Sequence, residues 1–132
     1  MTTDNKRIVQ QALAGLVETG DVESLERLLA DDFLHHRPDS TSSTKEQWLT
    51  AVRASLGEIS GMQVEIHHVL GDGDHVVMHS RRWLPPGPEI AVVDIWRLDG
   101  GHIVEGWEVI EPTAQAAANL TWWEPVGADD AR

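Results

Sequence analysis

The spacing of apolar residues changes once along this chain, near Gly61, and that change limits the fold more than any other feature. Before it, Ile8, Val9, Ala12, Leu13, Leu16 and Val17 recur every three or four positions, the spacing of one buried helix face. Gly20 stops that run, and Asp21 is placed to cap a second helix carrying Val22, Leu25, Leu28 and Leu29. A short extended piece, Phe33 to His36, ends before Pro38, because the residue ahead of a proline avoids helical geometry. Ser43 and Glu46 are spaced as a capping box for a third helix with Trp48, Leu49, Val52 and Leu56. After Gly61 the period becomes two: Met62, Val64 and Ile66 alternate with Gln63, Glu65 and His67. Turns at Gly71 to Asp74 and Pro85 to Pro88 then separate a strand, His75 to Leu84, from a final hairpin. Helices first and a meander afterwards predict an α+β fold, three N-terminal helices packed on a curved, mainly antiparallel sheet. Such a cone holds an internal pocket between its helices and its sheet. The 132 residues suit one domain, with about 112–132 as a C-terminal tail containing Trp122 and Trp123.

Composition removes several function classes. With no cysteine, the chain has neither a disulfide, a zinc thiolate site nor a cysteine nucleophile. A net charge of -12, without a basic stripe, disfavours nucleic acid and anionic membranes as partners. Neither an apolar signal core nor a membrane-length apolar run is present, so a cytoplasmic protein is expected. Six tryptophans against one phenylalanine and no tyrosine suggest either a pocket lining or an interface.

The hairpin VVDIWRLDGGHIVEGWEVIEP, Val92 to Pro112, holds the most informative irregularities. Asp94 interrupts an apolar strand, and Gly106 interrupts its partner. A two-residue loop, Gly100-Gly101, would pair Asp99 with His102 and set Asp94 opposite Trp107. A three-residue loop, Asp99 to Gly101, would pair Leu98 with His102 and set Asp94 opposite Gly106. The second register is preferred. It puts Val92, Asp94, Trp96 and Leu98 on one face with Val104, Gly106, Glu108 and Ile110, so two carboxylates share that face. The opposite face then carries Val93, Ile95, Ile103, Trp107 and Val109, with Arg97 in reach of Glu105. That face is too apolar for solvent, and a second copy of the chain is its expected cover, giving a homodimer.

Three helices, a meander and the stretches FLHHRP, GDGDHVVMHS and VVDIWRLDGGHIVEGWEVIEP resemble SnoaL-like proteins of the nuclear-transport-factor-2-like superfamily. The resemblance covers nearly the whole chain up to the tail. It implies the cone fold and a hydrophobic small-molecule substrate, with polyketide cyclases, ketosteroid-isomerase-like and epoxide-hydrolase-like enzymes, dehydratases and non-catalytic binders among the relatives. By this resemblance His36, His79, Asp94 and Glu108 fall on family functional positions. Gly106 replaces a histidine of the family pattern, which removes a proton-relay group and leaves room for a wider pocket. His35 and Arg37 replace a common Gln and Asn.

On chemical grounds Asp94 is the leading catalytic candidate, because a carboxyl desolvated on an apolar wall gains a pKa suited to acid/base work. Glu108 is its facing partner, and His36 and His79 are expected to orient substrate or shuttle protons. Trp48, Trp83, Trp96 and His35 are expected to contact substrate. An arginine such as Arg81 or Arg82 could instead pair with Asp94 and make it structural. No cofactor and no metal is expected; adjacent pairs His35-His36 and His67-His68 should point to opposite faces, and a triad of His36, His79 and Asp94 lacks a supporting motif. The expected reaction is an aldol-type cyclisation or isomerisation, with water activation by Asp94 as the hydrolytic alternative and a non-catalytic dimeric binder as the rival.

Overall fold

The computed structural model describes residues 2–57, 61–84, 87 and 89–112. The tail with Trp122 and Trp123 lies outside them. Helix α1 spans Thr2–Thr19, α2 Val22–Leu28 and α3 Lys45–Ser55. The strands are β1 Leu29–His36, β2 Ser42–Thr44, β3 Gln63–Asp72, β4 His75–Trp83, β5 Glu89–Asp99 and β6 His102–Pro112. They form one sheet in the order β2-β1-β6-β5-β4-β3. The expected α+β cone is therefore present, with an open, mixed sheet: β1 runs parallel to β6, and every other pairing is antiparallel.

Local chemistry explains where the helices begin and end. Gly20 takes a left-handed φ of 68°, and its N–H reaches the Leu16 carbonyl at 3.0 Å while the Asp21 N–H reaches Gly15 at 3.2 Å. The Asp21 carboxylate then accepts from the Ser24 N–H at 3.0 Å, starting α2. The capping box of α3 is one residue later than the sequence suggested. Thr44 accepts from the Gln47 N–H, and the Gln47 side chain accepts from the Thr44 N–H. Ser43 instead belongs to the short strand β2, which the sequence pattern did not reveal.

Helix α1 lies over β3 and β4, α3 lies over β1 and β2, and α2 bridges the two helices. Val9, Ala12, Val22, Leu25, Leu29, Phe33, Leu49, Val76, Trp96, Leu98 and Ile103 form the core between helices and sheet. Leu29, assigned to the second helix by its spacing, opens β1 instead and stays in this core.

The β5–β6 hairpin combines parts of both anticipated registers. Gly100 and Gly101 both have positive φ, 58° and 84°, so the loop has two residues and Asp99 faces His102. A bulge then shifts the ladder between Arg97 and Leu98, leaving Val104 without a partner. Beyond it Arg97 faces Glu105, Trp96 faces Gly106, Ile95 faces Trp107 and Asp94 faces Glu108. Asp94 is thus opposite neither Trp107 nor Gly106. Beyond the bulge the parity of the three-residue register is restored, so Asp94 and Glu108 share the inner face as expected; on the loop side of the bulge Ile103 faces Leu98 in the core instead of the outer face.

Candidate functional site

Three strands position the inner carboxyl. Asp94 on β5 faces Met78 of β4 on one side and Glu108 of β6 on the other. It is 3% exposed, and the Arg82 Nη2 donates to its Oδ2 at 2.6 Å. Arg82 also donates from Nε to the buried Ser80 Oγ at 3.2 Å. Met78, Ser80 and Arg82 alternate along β4, so all three project to the face that carries Asp94. Burial pushes the Asp94 carboxyl up to about 6, with Arg82 opposing the rise and Glu108 adding to it. Glu108 forms an ion pair with Arg37 at 3.3 Å, and its buried Oε1 has no hydrogen-bond partner among the described residues.

Arg82 and Met78 connect this carboxyl to a cavity of about 350 Å³ between α1 and the β3–β4 edge. Its apolar wall includes Leu13, Leu16 and Val17 of α1 and Met62, Val64 and Ile66 of the facing segment. Gln10, Glu18 and Arg82 supply the polar groups. Its volume and mainly apolar wall are of the kind that bind small organic ligands.

His35 is the histidine of the inner face, not His36. Phe33 and His35 are both buried and alternate with exposed Leu34, so the period-two rule applied from Phe33 identifies this face. The His35 ring stacks on Trp48 at 4.9 Å and lies 6.1 Å from Trp96. Burial, with help from Arg37 and His36, pulls its pKa down to about 4. It is therefore neutral at physiological pH.

Two anticipated catalytic histidines lie elsewhere. His36 is on the outer face, donating from Nε2 to Glu105 Oε2 at 2.6 Å, paired through Nδ1 with Ser42 Oγ at 2.7 Å, and stacked on Trp107. His79 faces Val93 on the same outer surface and hydrogen-bonds His68 through Nδ1 at 3.1 Å. The sheet separates both from Asp94, so His36, His79 and Asp94 cannot converge on one ion. The expectation for His67 and His68 fails too. A bulge between Ile66 and His68 brings both rings within 6 Å of the His79 ring, at 5.4 and 5.3 Å. Among the described residues no cluster of three such ligands is arranged to hold a metal.

The tryptophans divide likewise. Trp48 and Trp96 pack on His35 and Phe33 within the core, and Trp83 ends β4 opposite Glu89. None of the three, nor His35, lines the cavity beside Arg82, whose walls are aliphatic and methionine-rich. The wider pocket expected from Gly106 is also absent. A Cβ there would fall 2.5 Å from Trp96 Cζ3 and 3.2 Å from His35 Cδ2, so the indole occupies the space a larger residue would need. Of the two arginines named as possible partners of Asp94, Arg82 is the one that pairs with it, while Arg81 pairs with Glu89. What emerges only from the structure is that Arg82 also lines the cavity.

The SnoaL-like domain family matches residues 9–106 of this chain. The chain belongs to that family. Among solved structures, a provisionally assigned ketosteroid isomerase from Kribbella flavida shares 16% identity, with a TM-score of 0.71 over 94% of this chain and 83% of that one. IdmH of Streptomyces antibioticus, a provisionally assigned polyketide cyclase, shares 24% identity, with a TM-score of 0.65 over 82% and 97%. An LEH-like epoxide hydrolase of M. tuberculosis shares 20% identity, with a TM-score of 0.66 over 83% and 84%. At these identities the likeness establishes a common fold. No functionally curated protein matches the sequence. No described helix is long and apolar enough to cross a membrane.

Proposed function

We propose that this SnoaL-like chain is a small-molecule enzyme in which Asp94 moves a proton at a carbon next to a carbonyl, in an aldol-type cyclisation or isomerisation of a hydrophobic cyclic substrate. One observation carries the reading: a carboxyl 3% exposed, raised to about 6, is joined through Arg82 to an apolar cavity. A carboxyl of that pKa is largely ionised at neutral pH and is a stronger base than an ordinary aspartate. Abstraction of a proton beside a carbonyl leaves negative charge on the carbonyl oxygen, and the Arg82 guanidinium is the nearby cation suited to stabilise it. Glu108, ion-paired to Arg37, raises the basicity of Asp94 rather than competing for the same role. The named structural relatives, a ketosteroid isomerase and a polyketide cyclase among them, are consistent with this chemistry on this fold.

The test is deuterium exchange at the α-carbon of bicyclic ketones such as 2-tetralone and 2-decalone, followed by NMR in buffered D₂O. Exchange should accelerate with the wild-type protein, rise with pH through about 6, and fall on the order of 100-fold in Asp94→Asn. Equal exchange in wild type and variant would remove Asp94 from the chemistry. The two facing carboxyls also support a second reading, hydrolysis with Asp94 activating water. Opening of cyclohexene oxide without ketone exchange would favour it.

We also propose a homodimer through the outer sheet face. Val93, Ile95, Trp107 and Val109 form its apolar centre, and Val109 is 53% exposed in the single chain.

A further inference from the structure

We propose that the cavity beside Asp94 recognises a hydrophobic ring compound through an anionic oxygen, and that this oxygen takes Arg82 away from Asp94 as it binds. The inference rests on the acid/base reading of Asp94 and specifies its substrate class and its activation. Three observations support it. Among the described residues the cavity wall is apolar except for Gln10, Glu18 and Arg82, and Arg82 is its only cation. Of the guanidinium's donors, Nε is used by Ser80 and one Nη2 hydrogen by Asp94; no other protein bond occupies the group among the described residues. Asp94 itself is 3% exposed, so a substrate reaches it only if the Arg82 contact opens.

A planar guanidinium offers paired N–H donors that a carboxylate or enolate oxygen can accept, and such charge-assisted bonds exceed those to a neutral carbonyl. The apolar wall supplies burial for the ring, while the arginine supplies the anionic preference. A neutral carbonyl accepts from Arg82 more weakly, so it opens the Arg82–Asp94 contact in a smaller fraction of complexes than an anion does.

The exchange has a protonic consequence. The charged groups around Asp94 are Arg82 on β4 and Glu108 on β6, the latter held by Arg37; Glu18 of α1 lies on the cavity wall, and His35 of β1 is neutral on the same inner face. When Arg82 shifts toward the ligand, Asp94 loses its cation and keeps the repulsion of Glu108. At pH 7 it then takes up a fraction of a proton from solvent: the ionised share is the base towards a ketone, and the protonated share returns a proton to the carbon of a bound enolate. The bound anion thus creates the acid that its own reaction needs.

Isothermal titration calorimetry with 2-naphthoate and the neutral 2-naphthamide tests this, at pH 7 in two buffers of different ionisation enthalpy. The carboxylate should bind at least about tenfold more tightly and with uptake of a fraction of a proton. Asp94→Asn should keep the preference and lose the proton uptake. Arg82→Gln should lose the preference, and Arg82→Lys, which keeps the charge and the fold's ion pair, should retain part of it. Equal affinity for the two probes, binding of neither, or carboxylate binding without proton uptake would each overturn the proposal. The wild-type comparison of two probes decides it even if Arg82→Gln does not fold. These readouts need no turnover: loss of the anion preference leaves the base chemistry of Asp94 intact, whereas unchanged α-carbon exchange in Asp94→Asn removes that chemistry and leaves the binding result in place.

Discussion

The indole of Trp96 lies across the bare backbone of Gly106, so close that a Cβ at position 106 would fall 2.5 Å from Cζ3 and 2.7 Å from Cε3. The two residues face each other on β5 and β6, and His35 of β1 closes the third side at 3.2 Å. A glycine in mid-strand weakens a sheet. Here it admits the largest side chain of the core at the position where the family pattern has a histidine.

Gly106→Ala should therefore destabilise the protein by about 1–3 kcal/mol, the range for overpacking a well-filled core. Urea unfolding measures it. The cost should shrink when Trp96 is first cut to alanine, because the clash is then gone. Purely additive costs in that double-mutant cycle would mean that the indole is not the cause.

Asp94 and His35 should oppose each other in the pH dependence of stability. Asp94 has its folded pKa raised from 3.8 to about 6, so between those values the folded state binds the extra proton and its share of stability falls as pH rises. His35 has its folded pKa lowered from 6.5 to about 4, so its share is fully present above pH 6.5 and is lost as pH falls toward 4. Each effect amounts to about 3 kcal/mol as an upper bound. The two windows overlap and the slopes cancel. Relative to wild type, Asp94→Asn should gain stability as pH rises from 4 to 6, and His35→Phe should lose it. Chemical denaturation at half-unit pH steps checks this, and parallel profiles for wild type and both variants would refute it.

The outer-face histidines should be dispensable for chemistry. His36→Ala and His79→Ala should leave α-carbon exchange within about twofold of wild type, since neither group can reach Asp94 through the sheet. His36→Ala should cost about 1 kcal/mol of stability or less, because its bond to Glu105 is partly solvated. A large fall in exchange in either variant would mean that the reacting group is on the outer face.

Charge placed on the outer face should separate the proposed dimer. Val109→Arg puts a cation at the exposed apolar position next to Trp107, where an isologous contact would set it against its own copy. Sedimentation velocity should show a dimer for wild type and a monomer for the variant, with the fold unchanged by circular dichroism. A monomeric wild type would dispose of the dimer directly.

Much of this architecture was legible from local pattern, because it depends on neighbours in the chain. The period change at Gly61, the stop at Gly20 and the cap at Asp21 each act within a few residues. The placement of Asp94 with Glu108 on one face also followed, although by way of the wrong loop. Which histidines face inward did not follow from the pairs themselves. Two adjacent histidines differ only in parity, and parity is settled by a firmly buried residue of the same strand, Phe33 for His35.

The sequence by itself determined the order and kind of the elements, the acidic, cysteine-free composition, and an aspartate set in an apolar strand. Only the tertiary structure decided what that aspartate meets. The unpaired Val104 slides the ladder so that Asp94 faces Glu108, the bulge at His67 gathers three rings outside, and the parallel pairing of β1 with β6 carries His35 to Gly106 from 71 positions away. Arg82 reaches Asp94 across strands for the same reason. Bulges and long-range pairings each change a face or a neighbour by a single-residue step, and the free energy that selects the step comes from packing the whole core, not from the residues being placed.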